Sequence, residues 1–146
     1  MPIHKLKIGA LDLTLHLRED GFLAEVRLPA LPPEQLLPEH LKEASERLRS
    51  WRIPPPSSEG EARFRNALEA IEPGAPRSYG ALALALGTSP RAIASRCAAN
   101  RFLLRIPCHR VVGKHGIGGF RCGIAWKTTL LQLELQETAP ALIDLL

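Results

Sequence analysis

Apolar and polar positions change their period along this chain, and each change marks an element. Leu11, Leu13, Leu15 and Leu17 alternate with Asp12, Thr14 and His16, and Phe22, Ala24, Val26 and Leu28 alternate with Leu23, Glu25 and Arg27. A period of two places one set of side chains on one face of a strand. Between the runs lies Arg18-Glu19-Asp20-Gly21, whose Asp-Gly is a hairpin turn signal. The pattern predicts a half-buried antiparallel hairpin, with residues 3–8 available as a third strand, broken by Pro29, Pro32 and Pro33. The period then lengthens. Leu37, Leu41, Ala44, Leu48 and Trp51 recur at spacings of four and three, one face of an amphipathic helix with Pro38 in its first turn.

Ile53-Pro54-Pro55-Pro56-Ser57-Ser58 is a stiff linker. It divides the chain into an N-terminal α/β subdomain, residues 1–56, and a C-terminal domain, residues 57–146. Ser58 and Glu61 form a capping-box signature for a helix carrying Phe64, Ala67, Leu68 and Ile71, closed by Pro73-Gly74. Another helix starts at Ser78, places Tyr79, Leu82, Ala83 and Leu86 on its apolar positions, and stops at Gly87. Ser89-Pro90 caps a further helix to Ala99, and Ala125 to Glu137 predicts the last one, with Leu130, Leu131 and Leu135 inward and Pro140 at its end. The expected class is α/β in the α+β sense: a small β-hairpin/helix subdomain joined to a mainly helical domain containing a helix-turn-helix.

The second helix of that pair, Arg91 to Ala99, carries small side chains and two arginines. It lacks the long amides that read base edges in the major groove. Small residues permit close approach to a narrow minor groove, and they equally suit a tightly packed core helix. Charge changes the picture. Residues 73–133 hold nine Lys/Arg and no acid, whereas residues 1–72 hold ten bases and twelve acids. Such segregation points to a polyanionic partner, nucleic acid being the commonest. Three cysteines, Cys97, Cys108 and Cys122, make an odd count without a close pair, which argues for reduced thiols. No apolar run is long enough to span a bilayer, and the first residues lack an apolar signal core. A cytoplasmic location without membrane attachment is expected.

Candidate chemistry centres on Arg105-Ile106-Pro107-Cys108-His109-Arg110-Val111-Val112. A thiol becomes a good nucleophile when a base and positive charge favour its thiolate. Adjacent residues of an extended segment point apart, so Cys108 and His109 need a bend or a bridging water to share a proton. By itself the pair also fits core packing. Five glycines in residues 113–123 indicate a loop with unusual backbone angles or one lying against a ligand.

Taken in order, several pieces carry a resemblance. They are Ser78-Tyr79 opening a helix, Arg91 on a small-residue helix, Cys97-Ala98-Ala99-Asn100, Ile106-Pro107-Cys108-His109-Arg110-Val111, the Gly-rich loop, and Leu130-Leu131-Gln132-Leu133-Glu134. From about Phe64 to Glu134 the chain resembles the active domain of the O6-alkylguanine-DNA alkyltransferases, or methylated-DNA–protein-cysteine methyltransferases, closest to the bacterial forms. The resemblance implies binding in the minor groove of double-stranded DNA and extrusion of an O6-alkylated guanine. Arg91 would fill the vacated stack, with Tyr79, Ala92, Ser95 and Arg96 also facing DNA. Cys108 would accept the alkyl group, and His109 would act as its base through a water. Glu134 would orient His109, Asn100 would hold the reactive turn, and Tyr79 would assist departure of the base. Val111, Phe120, Arg121 and Cys122 would line the substrate pocket. The thioether formed has no route to hydrolysis, so one molecule is consumed per lesion. This chemistry implies no cofactor and no metal, and a monomer is expected.

Three departures stand out. The Gly-rich loop is one residue shorter than in relatives, Cys122 stands where bacterial forms usually carry tryptophan, and Arg101 follows Asn100 where many members have proline. Competing readings are a non-catalytic lesion sensor, which would lack the acceptor cysteine, a sequence-specific helix-turn-helix regulator, and a Cys-His hydrolase. A zinc site of Cys97, Cys108, His109 and Cys122 lacks the short Cys-x-x-Cys spacing.

Overall fold

The computed structural model describes residues 2–114 and 116–138. His115 and the segment from residue 139 on, including the expected stop at Pro140, lie outside the described residues. Three antiparallel strands open the chain in the order β1 (Ile3–Ile8), β2 (Leu11–Leu17), β3 (Leu23–Arg27). The alternation in β2 is realised: Leu11, Leu13 and Leu15 are fully buried, with exposed Asp12 and half-buried Thr14 and His16 on the other face. Each buried leucine contributes roughly 1.5–3 kcal/mol, so a charge at Leu13 would unfold the sheet. In β3 the inward set differs from the expected one. The pairing shifts between His16 and Leu17, which places Leu23 opposite Leu17. Leu23 is therefore fully buried, while Phe22 stays half-buried under the guanidinium of Arg52, 4.6 Å from its ring centre. An irregularity in one strand reverses which face the following residues take.

Helix α1 (Pro38–Leu48) buries Leu41, Ala44 and Leu48 and packs on β1 and on the last helix. It ends at Leu48, short of the expected Trp51, whose amide still bonds the Leu48 carbonyl at 3.1 Å. Helix α2 (Glu59–Glu69) starts as its cap predicts: the Ser58 hydroxyl accepts the Glu61 amide at 3.1 Å. The Glu61 carboxylate reaches back to Ser57 rather than to the cap residue.

The second sheet is two residues wide and positions the site. β4 (Arg77–Ser78) runs parallel to β5 (Val111–Val112), pairing Arg77 with Val111 and Ser78 with Val112. Helices α3 (Tyr79–Leu86) and α4 (Pro90–Ala99) fill the crossover between them. Gly87 ends α3 in the left-handed conformation at φ 67°, and the Thr88 amide bonds back to Ala83 at 2.9 Å. Because β4 lies beside β5, Tyr79 at the start of α3 lands next to the turn that carries Cys108. Helix α5 (Ile124–Thr138) closes the chain and buries Trp126, Lys127, Leu130, Leu131, Leu133 and Glu134. Leu133 points inward where Leu135 was expected. One core joins all of this, from Leu6 and Leu15 of the first sheet to Phe64, Ile93, Ile106 and Leu130.

Candidate active site

The site grows from a bend around Pro107. Proline fixes φ near −65°, and Pro107, at φ −80° and ψ 65°, adopts an inverse γ-turn in which the Cys108 amide donates to the Ile106 carbonyl at 2.8 Å. A 3-10 turn over Cys108–Arg110 follows, closed by the Arg110 amide on Pro107 at 3.1 Å. The segment is therefore not extended, and Cys108 and His109 are not forced to opposite faces. Asn100 fastens both ends of the preceding loop. Its amide Nδ2 donates to the Ile106 carbonyl at 2.9 Å, and its Oδ1 accepts the Phe102 amide at 3.0 Å. Leu104, within that loop, is held at φ 69°, a left-handed angle that costs a branched residue energy.

Behind Cys108 sits a buried charged group. His109 Nε2 lies 3.0 Å from Glu134 Oε1, and Arg110 donates to the same carboxylate through Nε and, at 2.6 Å, through Nη2. Arg110 Nη1 also donates to the Ile71 carbonyl at 2.8 Å. Burial pushes the Glu134 carboxyl up, but the hydrogen bond and charge of His109, then those of Arg110, overcome this and hold it at about 2. The ionised carboxylate can only accept, so it fixes the proton of a neutral His109 on Nε2 and leaves Nδ1 as the basic nitrogen. Cys108 is 3% exposed. Burial pushes its thiol up to about 11, opposed by the Asn100 side chain and the Lys127 charge. At neutral pH the sulfur therefore keeps its proton until a base removes it.

A cavity of about 260 Å³ opens above Cys108, lined by Tyr79, Ala94, Cys97, Ala98, Gly119, Phe120 and Arg121 as well. It is smaller than the roughly 300–1,000 Å³ pockets of drug-sized ligands and suits a single small ring system. Ala94 and Ala98 are exposed on α4 and also form the cavity's rim. Helix α4 buries only Ile93 and Cys97 and exposes Arg91, Ser95, Arg96 and Ala99, with Ala92 half-buried. Its small residues thus face outward rather than packing in the core. Of the expected pocket residues, Phe120 and Arg121 line the cavity. Val111 and Cys122 do not: Val111 is fully buried in the core, and Cys122 lines a separate cavity against β3. Among the described residues no three metal-ligating side chains come together, so the four-residue zinc arrangement does not form.

A family model described as the DNA binding domain of 6-O-methylguanine DNA methyltransferase matches residues 60–136, more than half of the chain. The chain belongs to the 6-O-methylguanine DNA methyltransferase family. The methylated-DNA–protein-cysteine methyltransferase of Saccharolobus islandicus is 49% identical over 57 residues, 39% of this chain and 38% of that protein. That of Sulfurisphaera tokodaii is 40% identical over 79 residues, 54% of this chain and 51% of the other. The aligned part thus spans about two fifths to one half of these curated relatives. The crystal structure of Mycobacterium tuberculosis O6-methylguanine methyltransferase superposes with a TM-score of 0.65 at 25% identity, covering 98% of this chain and 97% of that one. The mixed α/β architecture is that of the methyltransferase family.

Two residues of this methyltransferase-family domain escape a reading of the sequence. Lys127 is fully buried. Its ammonium donates to the Val111 carbonyl at 2.6 Å, the Gly119 carbonyl at 3.0 Å and the Tyr79 hydroxyl at 3.3 Å, using all three N–H groups. Because the Tyr79 oxygen accepts from Lys127, its own O–H is free to point into the cavity. Burial, then the neighbouring Cys97 and Cys108 sulfurs, push the Tyr79 hydroxyl up, so it holds a proton to give. The available signal was helical spacing, since residues 127, 130, 131 and 134 share a face. The second is Gly118, at φ 77°: a Cβ there would sit 2.9 Å from the Tyr79 ring and 3.3 Å from Lys127 Nζ. Only glycine lets the loop lie this close over the pair. Arg110 points inward, onto Glu134 and the Ile71 carbonyl.

Proposed function

We propose that this chain is a single-turnover DNA repair protein, a methylated-DNA–protein-cysteine S-methyltransferase that moves the alkyl group of an O6-alkylguanine onto Cys108. The observation that carries the reading is the shared rim of Ala94 and Ala98. A DNA strand lying along the exposed small face of α4 has the Cys108 cavity directly beneath it, so an extruded base drops onto the thiol. Arg91, beside that face, takes the vacated place in the stack, and Tyr79, Ala92, Ser95 and Arg96 meet the minor groove.

The chemistry follows from the residues. His109 Nδ1 takes the Cys108 proton through a water, and Glu134 stabilises the imidazolium. The sulfur attacks the alkyl carbon in line with its bond to O6. The S–C bond forms, the C–O6 bond breaks, and its electron pair leaves with the guanine. Tyr79 gives its proton to the departing purine, and the Lys127 ammonium stabilises the charge left on the phenol oxygen. Asn100 holds the turn, and Phe120 and Arg121 wall the base in. We propose residues 1–56 and 57–146 as two subdomains around the shared core. The protein acts as a monomer, and its acceptor thiol suits the reducing cytoplasm. No described helix is long and apolar enough to cross a membrane. Within the family, the whole-chain match to the Mycobacterium tuberculosis structure supports bacterial kinship, while the sequence relatives named above are archaeal.

Intact-mass spectrometry after mixing with an O6-methylguanine oligonucleotide tests the reading. The expected result is a stoichiometric gain of one methyl, mapped to Cys108 and absent in Cys108→Ala. DNA binding without any mass change would overturn transfer in favour of a lesion sensor.

A further inference from the structure

The loop over Cys108 belongs to a block of chain that contains no carboxylate, residues 73–133. Any ion pair made by its arginines must therefore be completed from outside. Arg121 finds its partner on the N-terminal sheet: its Nη2 lies 3.5 Å from Glu25 Oε2 on β3. The same carboxylate takes Arg27 Nε at 2.8 Å and lies 3.6 Å from Arg101 Nη1. Its side chain is 12% exposed and that of Arg121 34%, whereas Arg27 and Arg101 are mostly exposed, so the Arg121 pair is the least screened of the three.

Glu25 is itself held rigidly. The adjoining Val26 amide donates to the Arg101 carbonyl at 2.8 Å, and Pro29, beyond the strand, accepts the Trp126 indole at 2.6 Å. Between these fixed points the strand faces the outer side of the loop. Cys122 and Leu28 face one another across that gap. A cavity of about 260 Å³ separates the two, lined by Glu25, Leu28, Arg101, Arg121 and Cys122 among others. The loop's inner side, Phe120 and Arg121, is the wall of the Cys108 cavity. Released from Glu25, the wall has space to move outward.

We propose that Glu25 is a positioning residue, acting through Arg121 to hold the substrate wall over Cys108. The N-terminal subdomain thereby sets the fit of the pocket it does not line. The consequence for transfer rests on the function proposed above, whereas the tie itself is readable without DNA.

The test compares wild type, Glu25→Gln, Arg121→Gln and the double variant, with Arg27→Gln as a control off the loop. The first readout is the rate of Cys122 labelling by a small maleimide on the free protein, resolved by peptide mass. Each single variant is expected to label about fivefold faster, and the double variant no faster than either. Arg27→Gln should label as wild type does. The second readout is single-turnover transfer from O6-methylguanine DNA, expected to slow severalfold in Glu25→Gln but not further when Arg121→Gln already stands. Unchanged labelling in Glu25→Gln, or effects that multiply in the double variant, would overturn the tie. Should Glu25→Gln fail to fold, Arg121→Gln, on an exposed loop, carries the labelling test. Faster labelling in a protein whose wild type transfers nothing would leave the tie standing and remove the transfer reading.

Discussion

Lys127 shows what one side chain does in this site. Its three hydrogen bonds join the turn after Cys108, the Gly-rich loop and Tyr79. Replacing it by methionine keeps the apolar stem and removes every donor, which leaves the buried Val111 carbonyl unpaired and gives the Gly119 carbonyl of the exposed loop to water. Lys127→Met should cost on the order of 1–3 kcal/mol in chemical denaturation. In the mechanism proposed above, transfer should slow beyond what that loss explains, by at least about tenfold in single-turnover assays, because Tyr79 would lose the charge that favours giving up its proton. An unchanged transfer rate in the folded variant would remove Lys127 from the chemistry. Glu134 makes a second prediction at this scale. Its carboxyl falls from the ordinary 4.5 to about 2 on folding. A depressed acid stabilises the fold fully above its unfolded value and loses that contribution as pH drops towards the folded one. Stability should therefore decline between pH 4.5 and 2, by about 3 kcal/mol from this group. Denaturation midpoints followed over that range should lose this limb in Glu134→Gln, which would also be less stable at neutral pH.

At the scale of elements, α4 separates two explanations that its composition leaves equal. Alanines serve a buried helix and a helix meant to come close to DNA. In the fold, Ala94, Ala98 and Ala99 face outward. Because Ala98 is exposed, Ala98→Leu should change stability by less than about 0.5 kcal/mol. The same leucine would stand on the rim of the Cys108 cavity and keep the strand away. DNA affinity and transfer should both fall, while thermal melting stays put; a variant that transfers at the wild-type rate would move the DNA contact off this helix. Other elements were read from the sequence with varying success for physical reasons. Alternation located β2, and Ser58, Ser78, Ser89 and Gly87 located helix ends, since caps and pleats are local chemistry. The inward residue of β3 was misread because a pairing shift beyond the hairpin decides it. Cys108, His109 and Glu134 were legible through a motif, but the γ-turn at Pro107, which frees the first two from opposite faces of an extended segment, appears only in the structure. Lys127 was missed because its acceptors lie 8, 16 and 48 residues away.

For the molecule as a whole, the charge segregation seen along the chain is spent in two ways. Of the nine bases in residues 73–133, Arg101, Arg105, Arg110 and Arg121 pair with Glu25, Glu69 and Glu134, carboxylates from outside that block. Lys127 is buried. Among the described residues Arg77, Arg91, Arg96 and Lys114 remain exposed without a carboxylate partner. The excess that looked like nine contacts for a polyanion is therefore closer to four. Each phosphate neutralised on duplex DNA contributes about −0.9 to the slope of log affinity against log salt. The expected slope is about −3 to −4, whereas engagement of all nine bases would give about −8. Anisotropy titrations of an unmodified duplex between low and moderate potassium chloride distinguish the two. A slope near −8 would mean that DNA pulls Arg101, Arg105, Arg110 and Arg121 from their carboxylates and draws Lys127 out of the core as well. The buried Arg110–Glu134 pair would then have to open on binding. A shallow slope would keep that pair closed behind His109, so that, in the function proposed above, grip on DNA and activation of the thiol would draw on separate sets of basic residues.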